Sequence, residues 1–442
     1  MPTSPSILQV NTYDDGGGAE QICRQLHESY QERGLSASLA VGRRKLQTGQ
    51  NIWEIPRSQN RWISALSNRI SKLPFSGFGL PTALRRLSRP EQWVRHLMGH
   101  EDFSYPKSWD ILKTIPTTPD LIHFHNLHGA FFDLRSLRYY AEQLPVFFTL
   151  HDCWLFTGHC AYFFECHRWE DSCGSCPHLD IYPSISRDGS KVNIQLKREI
   201  VSGLTLNLAT PSQWLANQVE KSILREMPCK VIPNGIDLNH FKVGDRQQAR
   251  QKRNLPSDAF VLLCVGSQIK SNPFKDFPLL KEAVSSLKTG RNTLLLVLGE
   301  DRPDESWGEV LVKYLPPISN RKDIAEVYQS CDVFLHPTRE DNFPNVILEA
   351  HASGRVTIAP SVGGISEQIL ANETGLITKP GDVKEFREAI ETIASAPDRQ
   401  KEMENAARVR AENCFSLTLQ TDRYLEWYAS VLSAQTKSIS AA

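Results

Sequence analysis

The sequence predicts an α/β protein of two Rossmann-like domains facing each other across a cleft, and three observations carry that prediction. Apolar strands alternate with helical stretches along the chain, the mark of a parallel sheet with crossover helices. The alternation starts twice, at Ile7–Val10 and again at Phe260–Gly266. Between the two runs, VIPNGIDLNHF at 231–241 contains a Pro-Asn-Gly turn that marks a boundary.

The first half begins with the strand Ile7–Val10, the loop Gly16-Gly17-Gly18 and a helix starting near Ala19. Glycine lets a backbone approach an anion closely, so strand, glycine loop and helix together form a phosphate-approach unit. Further strands are expected at Leu121–Phe124, Val146–Leu150 and Leu204–Ala209. Ligands of such sheets collect at the carboxyl ends of the strands. Two of these ends carry histidines: LIHFHNLHG supplies His123, His125 and His128, and TLHDCW supplies His151 beside Asp152. The second half adds strands at Thr293–Gly299, Val333–His336 and Val356–Ala359, and a last helix over about Leu417–Leu432 carries Tyr424, Trp427 and Tyr428.

The richest stretch is PTREDNFPNVILE, 337–349, which places Asp341 and Glu349 eight positions apart around an Asn-Phe-Pro-Asn turn. A helix opening at about Pro344 would leave the N–H groups of Asn345 to Leu348 in its first turn, with Glu349 following about one turn along. The N–H groups and the helix dipole favour a diphosphate there. A carboxylate at Glu349 can accept both hydroxyls of a ribose, with roughly 1.5–3 kcal/mol per charge-assisted hydrogen bond.

This string resembles the E-x7-E segment of retaining glycosyltransferase family 4, a GT-B fold family whose usual form is close to EGFPNVLLEA. EDNFPNVILEA matches it at Phe343, Pro344, Asn345, Val346, Leu348, Glu349 and Ala350, with Asp341 for the first Glu and Asn342 for Gly. The resemblance implies that Gly17 and Gly18 lie against the donor phosphates. It implies that Asp341 contacts the donor sugar and that His125 and His151 line the cleft. The turn SVGGISEQI, with Gly364 and Glu367, then lines the donor site. Family members commonly neutralise the leaving diphosphate with an Arg and a Lys after the first strand of the second domain. Here VLLCVGSQIKSNPFKDF puts Ser267 at the Arg position and Lys275 at the Lys position, leaving Lys270 or Arg339 as candidates for the missing charge. The implied domains are an acceptor domain over 1–231, a linker over 232–241, a donor domain over 242–415 and a helix over 416–442 that returns to the first domain.

The resemblance therefore implies a retaining glycosyltransferase that moves a sugar from a nucleoside diphosphate to a glycan or lipid-linked acceptor in polysaccharide biosynthesis. A front-face displacement is implied, with no protein nucleophile, the leaving phosphate helping to deprotonate the acceptor and no metal required for catalysis. A nucleotide-sugar epimerase, a phosphorylase, or a non-catalytic carbohydrate-binding protein on the same fold are the alternatives.

With 442 residues, 40% hydrophobic and 23% charged, the chain can bury large cores. Its formal net charge is zero, so nucleic acid is not an expected partner. No run approaches the 18 or so apolar residues of a membrane span, and MPTSPSILQVNTYDD does not read as a signal peptide. A cytoplasmic location with reduced cysteines is expected. Eight Lys or Arg residues fall from Arg57 to Arg95 against one acid, Glu91, within a basic insertion at about 57–97. Trp62, Leu66, Ile70 and Leu73 recur there at helical spacing, which suits either peripheral contact with a membrane surface or a helix packed on its own domain.

Four of the ten cysteines, Cys160, Cys166, Cys173 and Cys176, share the segment 153–178 with spacing C-x5-C-x6-C-x2-C. Structural zinc, a disulfide or redox pair, and unligated packing all remain open. The window resembles a family subgroup sharing GHC, a Trp and CGxCP, and EDFSYP at 101–106 fits the same subgroup.

Overall fold

The computed structural model describes residues 5–46, 48–56 and 90–441, which fall into two compact units. The first comprises Met1–Thr210, Ala216–Lys230 and Ala434–Ala442, and the second Pro211–Leu215 and Val231–Ser433. The last helix, Leu417–Ala441, is divided between the two units after Ser433, and its Tyr424, Trp427 and Tyr428 are buried. The basic amphipathic face expected over Trp62 to Leu73 lies outside the described residues. No helix among the described residues is long and apolar enough to cross a membrane.

The first unit holds a seven-stranded sheet made of β1 (Ile7–Tyr13), β2 (Ala37–Arg43), β3 (Ile52–Glu54), β4 (Leu121–Phe124), β5 (Val146–Thr149), β6 (Leu206–Thr210) and β7 (Cys229–Val231). Their order is β3-β2-β1-β4-β5-β6-β7, parallel from β3 through β6. Chain order reverses between β1 and β4, which makes their carboxyl ends the switch point where ligands bind in open sheets of this kind. The helix Gly18–Glu32 covers the sheet with Ile22, Cys23, Leu26 and Tyr30, an apolar stripe at helical spacing. Truncating Leu26, which is fully buried, to Ala would cost about 2–5 kcal/mol.

The second unit holds β8 (Phe260–Val265), β9 (Thr293–Leu298), β10 (Glu305–Trp307), β11 (Val310–Leu315), β12 (Val333–Leu335), β13 (Val356–Pro360) and β14 (Gly375–Thr378). They lie in the order β10-β11-β9-β8-β12-β13-β14, and only β10 with β11 is antiparallel among the pairings described. Both faces are covered: Leu262, Leu295, Leu335 and Ile358 enter one core, and Val261, Leu263, Leu296 and Phe334 the other. That double burial is why these strands read as unbroken apolar runs. The switch point falls between β8 and β12, the equivalent place to the first sheet.

All eight strands expected from the apolar runs are present within a few residues. The largest difference is β1, which runs on to Tyr13 because Asn11 and Tyr13 stay paired with β2. The other six strands come from segments that are short or polar or, at Ala37–Arg43, interrupted by Ser and Gly.

Candidate active site

In the second unit, β12 ends at Leu335 and the chain turns through His336 and Pro337 alongside the loop that follows β8. Asp276 N donates to Pro337 O at 3.1 Å, Arg339 N to Phe274 O at 2.9 Å, and Thr338 Oγ1 to Phe274 O at 2.8 Å. An isolated antiparallel bridge pairs Lys275 with Thr338. This lacing carries Lys275 Nζ to 3.0 Å from Asp341 Oδ2, and His336 Nε2 lies 3.3 Å from the same oxygen.

The electrostatics of that trio follow from its surroundings. Burial alone would push the Asp341 carboxyl up, but Lys275 and then His336 hold it down at about 2. His336 is lowered to about 4 by burial and by repulsion from Lys275, so at neutral pH its Nε2–H donates to Asp341. A fixed carboxylate and a fixed ammonium therefore stand together at the switch point of the second sheet. Ser267 and Lys270 are exposed, and Arg339, half exposed, turns to Asp276 Oδ1 at 3.4 Å.

The helix expected at Pro344 spans Asn345–Ala352, with Pro344 as its extended N-cap residue and no side chain capping it. Phe343 is buried edge-on against Phe415 at 5.9 Å, and Val346 packs on the core below. Asn345 Oδ1 accepts from Asn234 Nδ2 at 3.0 Å. One turn into the helix, Glu349 is 7% exposed and its Oε2 accepts from the Tyr328 hydroxyl at 2.8 Å. Burial, then the charge of Glu349, pushes the Tyr328 hydroxyl far up, so it stays a donor.

The turn at Gly363-Gly364 fixes the opposite side of the Asp341 loop. Gly363 has φ 54°, and a Cβ there would lie 1.8 Å from Asp341 O, so only glycine fits without displacing the carboxylate's own backbone. Gly364 N donates to Asn342 O at 2.8 Å, and Ser212 Oγ bonds Asn342 Oδ1 at 2.8 Å. Glu367, expected to line the donor site, instead accepts from the backbone N–H groups of Gln213 and Trp214 at 2.7 and 2.8 Å. Its carboxylate serves as a cap.

In the first unit, the glycine loop joins β1 to the helix Gly18–Glu32. Gly16, at φ 149°, makes the turn beside Lys45 Nζ, Gly17 is the N-cap residue and Gly18 starts the helix. At the ends of β4 and β5 the histidines separate into two groups. His125 is fully buried: Gln9 Nε2 donates to its Nε2 at 3.2 Å, so its Nδ1–H donates to His151 Nε2 at 2.9 Å. Burial holds His125 well below its ordinary range, His151 at about 4 and His123, bonded to Thr149 Oγ1 at 2.8 Å, at about 3. His125 thus stands behind His151, with both ring nitrogens engaged.

The second group is His128, whose Nε2 lies 2.9 Å from Asp152 Oδ2 and whose Nδ1 lies 3.1 Å from the Tyr182 hydroxyl. Thr12 Oγ1, at the end of β1, holds the backbone carbonyls of Asn126 and His128 at 2.9 and 2.7 Å. Beneath lies an ion pair between fully buried Lys197 and Glu101 at 2.7 Å, with the Trp154 indole N–H on Glu101 Oε1.

The four clustered cysteines are free thiols. Burial pushes Cys160 to about 12 and Cys173 to about 11, and Cys176 Sγ lies 3.4 Å from His159 Nε2. Among the described residues no group of three or more His, Cys, Asp or Glu side chains is placed to hold a metal ion.

Sequence reasoning missed His336, Tyr328 and Tyr182 and passed over His128 in favour of its neighbours. His336 and His128 follow strand ends, so the rule that singled out His125 and His151 also covers them. Tyr328 and Tyr182 carry no local signal.

Residues 16–240 match the family described as Glycosyltransferase Family 4, and residues 245–410 match Glycosyl transferases group 1. The chain is 25% identical over 371 residues to WcaC of Escherichia coli strain K12, named for colanic acid biosynthesis, covering 80% of this chain and 82% of that protein. It is 31% identical over 216 residues to a D-inositol 3-phosphate glycosyltransferase of Actinosynnema mirum, covering 45% of this chain and 51% of that protein. Among solved structures, sucrose-phosphate synthase from Thermosynechococcus elongatus superposes with TM-score 0.65 at 16% identity, covering 97% of this chain and all of the other. Anabaena HepE, solved in complex with UDP and glucose, gives TM-score 0.63 at 17% identity, over 96% of this chain and 100% of HepE. Two parallel-dominated α/β sheets, matched along nearly the whole chain, are the GT-B fold. The chain is a glycosyltransferase, and it belongs to glycosyltransferase family 4.

Proposed function

We propose that this enzyme transfers a glycosyl group, with retention, from a nucleoside-diphosphate sugar to a glycan or lipid-linked acceptor in polysaccharide biosynthesis. The observation that carries the reading is the Lys275–Asp341 pair at 3.0 Å, beside a helix N-terminus that no side chain caps and one turn before buried Glu349. In this reading the diphosphate takes the helix N-terminus, Lys275 offsets the charge that grows on it, Asp341 receives a hydroxyl of the donor sugar and Glu349 receives the ribose. The names of relatives support it: HepE was solved with UDP-glucose, and CapM of Staphylococcus aureus is named for capsular polysaccharide biosynthesis.

Contact with a membrane surface belongs to the same reading. The helix Pro90–Leu97, at the end of the basic stretch, exposes Trp93, Val94 and Leu97, with Met98 just beyond. Co-sedimentation with anionic but not neutral vesicles tests this part.

The donor is tested by thermal shift against a panel of UDP-, GDP- and dTDP-sugars. A ligand at 100 times its dissociation constant stabilises by about 2.7 kcal/mol, so the true donor stands out. Absence of a shift with every one would refute the donor assignment, and an inverted anomeric centre in the product would refute retention.

A further inference from the structure

We infer that Tyr328 is a positioning residue of the nucleotide site: it holds the Glu349 carboxylate in the orientation that receives the ribose, and so makes the site select ribonucleoside over deoxyribonucleoside diphosphates. The inference rests on the sugar-transfer reading above and narrows its donor to a sugar carried on a ribonucleotide, a UDP- or GDP-sugar rather than a dTDP-sugar.

Both residues lie in the second unit, Tyr328 on the helix Arg321–Ser330 and Glu349 on the helix Asn345–Ala352. Tyr328 stands near the end of its helix, where the Cys331 thiol donates to Tyr328 O at 3.1 Å. Its ring is fully buried, edge-on to Phe241 at 6.0 Å and tilted against Phe334 at 5.6 Å. The same core cluster takes in Ile347 and Leu348, the two residues just before Glu349. A ring wedged among these side chains keeps its hydroxyl at a set place relative to the helix that carries the carboxylate.

The direction of the bond between them follows from the chemistry of the pair. A carboxylate only accepts, and the Tyr328 hydroxyl, pushed far up by burial and then by the charge of Glu349, keeps its proton. The hydroxyl therefore donates to Glu349 Oε2 at 2.8 Å. A carboxylate offers about four acceptor positions, so the group that takes the tyrosine proton can take ribose hydroxyls as well.

Held in this way, the carboxylate is set before the nucleotide arrives. A glutamate without the anchor turns among several rotamers, and the ribose would have to order it on binding, at a cost in affinity. A ribose presents two adjacent hydroxyl donors, at its 2′ and 3′ carbons, where a 2′-deoxyribose presents one. The advantage of prior ordering appears only with a ligand that carries these hydroxyls, which separates positioning from a general effect on the fold.

The test uses the full chain and measures by calorimetry the dissociation constants of UDP and GDP beside their 2′,3′-dideoxy counterparts, for the parent, Y328F, E349Q and the double variant. The parent should prefer the ribo form of its base by about tenfold or more, from charge-assisted hydrogen bonds to the hydroxyls. Y328F should lower that preference by about threefold or more, the effect of one side chain left to be ordered on binding, while holding the dideoxy form within about twofold of the parent. In the E349Q background Y328F should leave the preference as it is, because the tyrosine acts through the carboxylate. An unchanged preference in Y328F, a loss shared equally by the ribo and dideoxy forms, or the same fall in the E349Q background would each overturn the positioning role while leaving sugar transfer standing. A parent that binds nucleotide without regard to the ribose hydroxyls would overturn it together with the ribose assignment of Glu349. Failure of the parent to bind either nucleotide in any form would overturn the sugar-transfer reading and the inference with it.

Discussion

Asp341→Asn and Lys275→Met, made singly and together, should show that the pair at the second switch point is coupled by about 2 kcal/mol at neutral pH. The carboxyl falls from 3.8 to about 2 in the folded protein, roughly two units at about 1.4 kcal/mol each. Burial opposes that shift, so the lowering due to Lys275 and His336 together exceeds the net figure, with Lys275 the first of the two. Both side chains are 17% exposed, and solvent trims the value from the 3–5 kcal/mol range of fully buried pairs back to about 2. The sign with pH follows from the lowered value. The contribution is complete above the unfolded carboxyl range near 4 and is lost as pH falls towards the folded value near 2. Equilibrium urea unfolding of the four proteins at pH 7 gives the cycle directly. A coupling term below about 0.5 kcal/mol would show that the 3.0 Å contact is solvent-screened, and the fixed-charge account of Lys275 would fall with it.

Three further outcomes are expected. Glu349→Ala should weaken nucleoside diphosphate binding by about tenfold or more, from the loss of charge-assisted hydrogen bonds to the ribose, and calorimetry at parental affinity would remove Glu349 from the nucleotide site. The first unit should lose at least about 2 kcal/mol of stability between pH 7 and 5, because neutral His123, His125 and His151 bind protons readily only when unfolded; His128 acts oppositely. His123→Gln should flatten that slope in urea titrations, and an unchanged slope would mean the buried imidazole is not the source. Cys160 and Cys173, with thiols raised to about 12 and 11, should alkylate slowly in native protein at neutral pH, and rapid modification of either would show that burial does not hold them as thiols.

Most strands that the sequence made visible are covered on both faces; Ala37–Arg43, buried over six residues, was missed because Ser and Gly interrupt its apolar run. Strands such as Thr293–Leu298 bury every residue, so their apolar runs are continuous and need no periodicity argument. The strand Val310–Leu315 buries Val310, Val312 and Tyr314 while Leu311 and Lys313 face outward, a half-covered pattern broken by its lysine. Ile52–Glu54 is too short to show any period. In the same way Glu349 and Asp341 stood out as candidates because they lie in a string with turn and helix signals around it, and Lys275 through its place in the family resemblance. The partners that fix their charge state did not, since Tyr328 reaches Glu349 from a different helix and His336 sits past a strand of three residues.

One rule would have recovered more of the site than any motif. In both sheets chain order reverses beside the first strand of the unit, and in both the polar residues cluster on the loops after the two strands that flank the reversal. Those loops carry Gly16 and His128 in the first unit and Lys275 and Asp341 in the second. Neighbouring strands at a reversal send their chains in opposite directions over the sheet, which opens space at the carboxyl ends that side chains of both loops can enter. Residues on those loops are selected by position rather than by type. Hence His125, one residue past the end of β4, was conspicuous as a histidine yet is interior, whereas His128, three residues further on, reaches Asp152 and Tyr182. Counting distance from the strand end separates the two: a residue still hydrogen-bonded to the sheet, as His125 N is to Val10 O at 2.9 Å, points into the fold. A residue beyond the last ladder bond is free to face the ligand side.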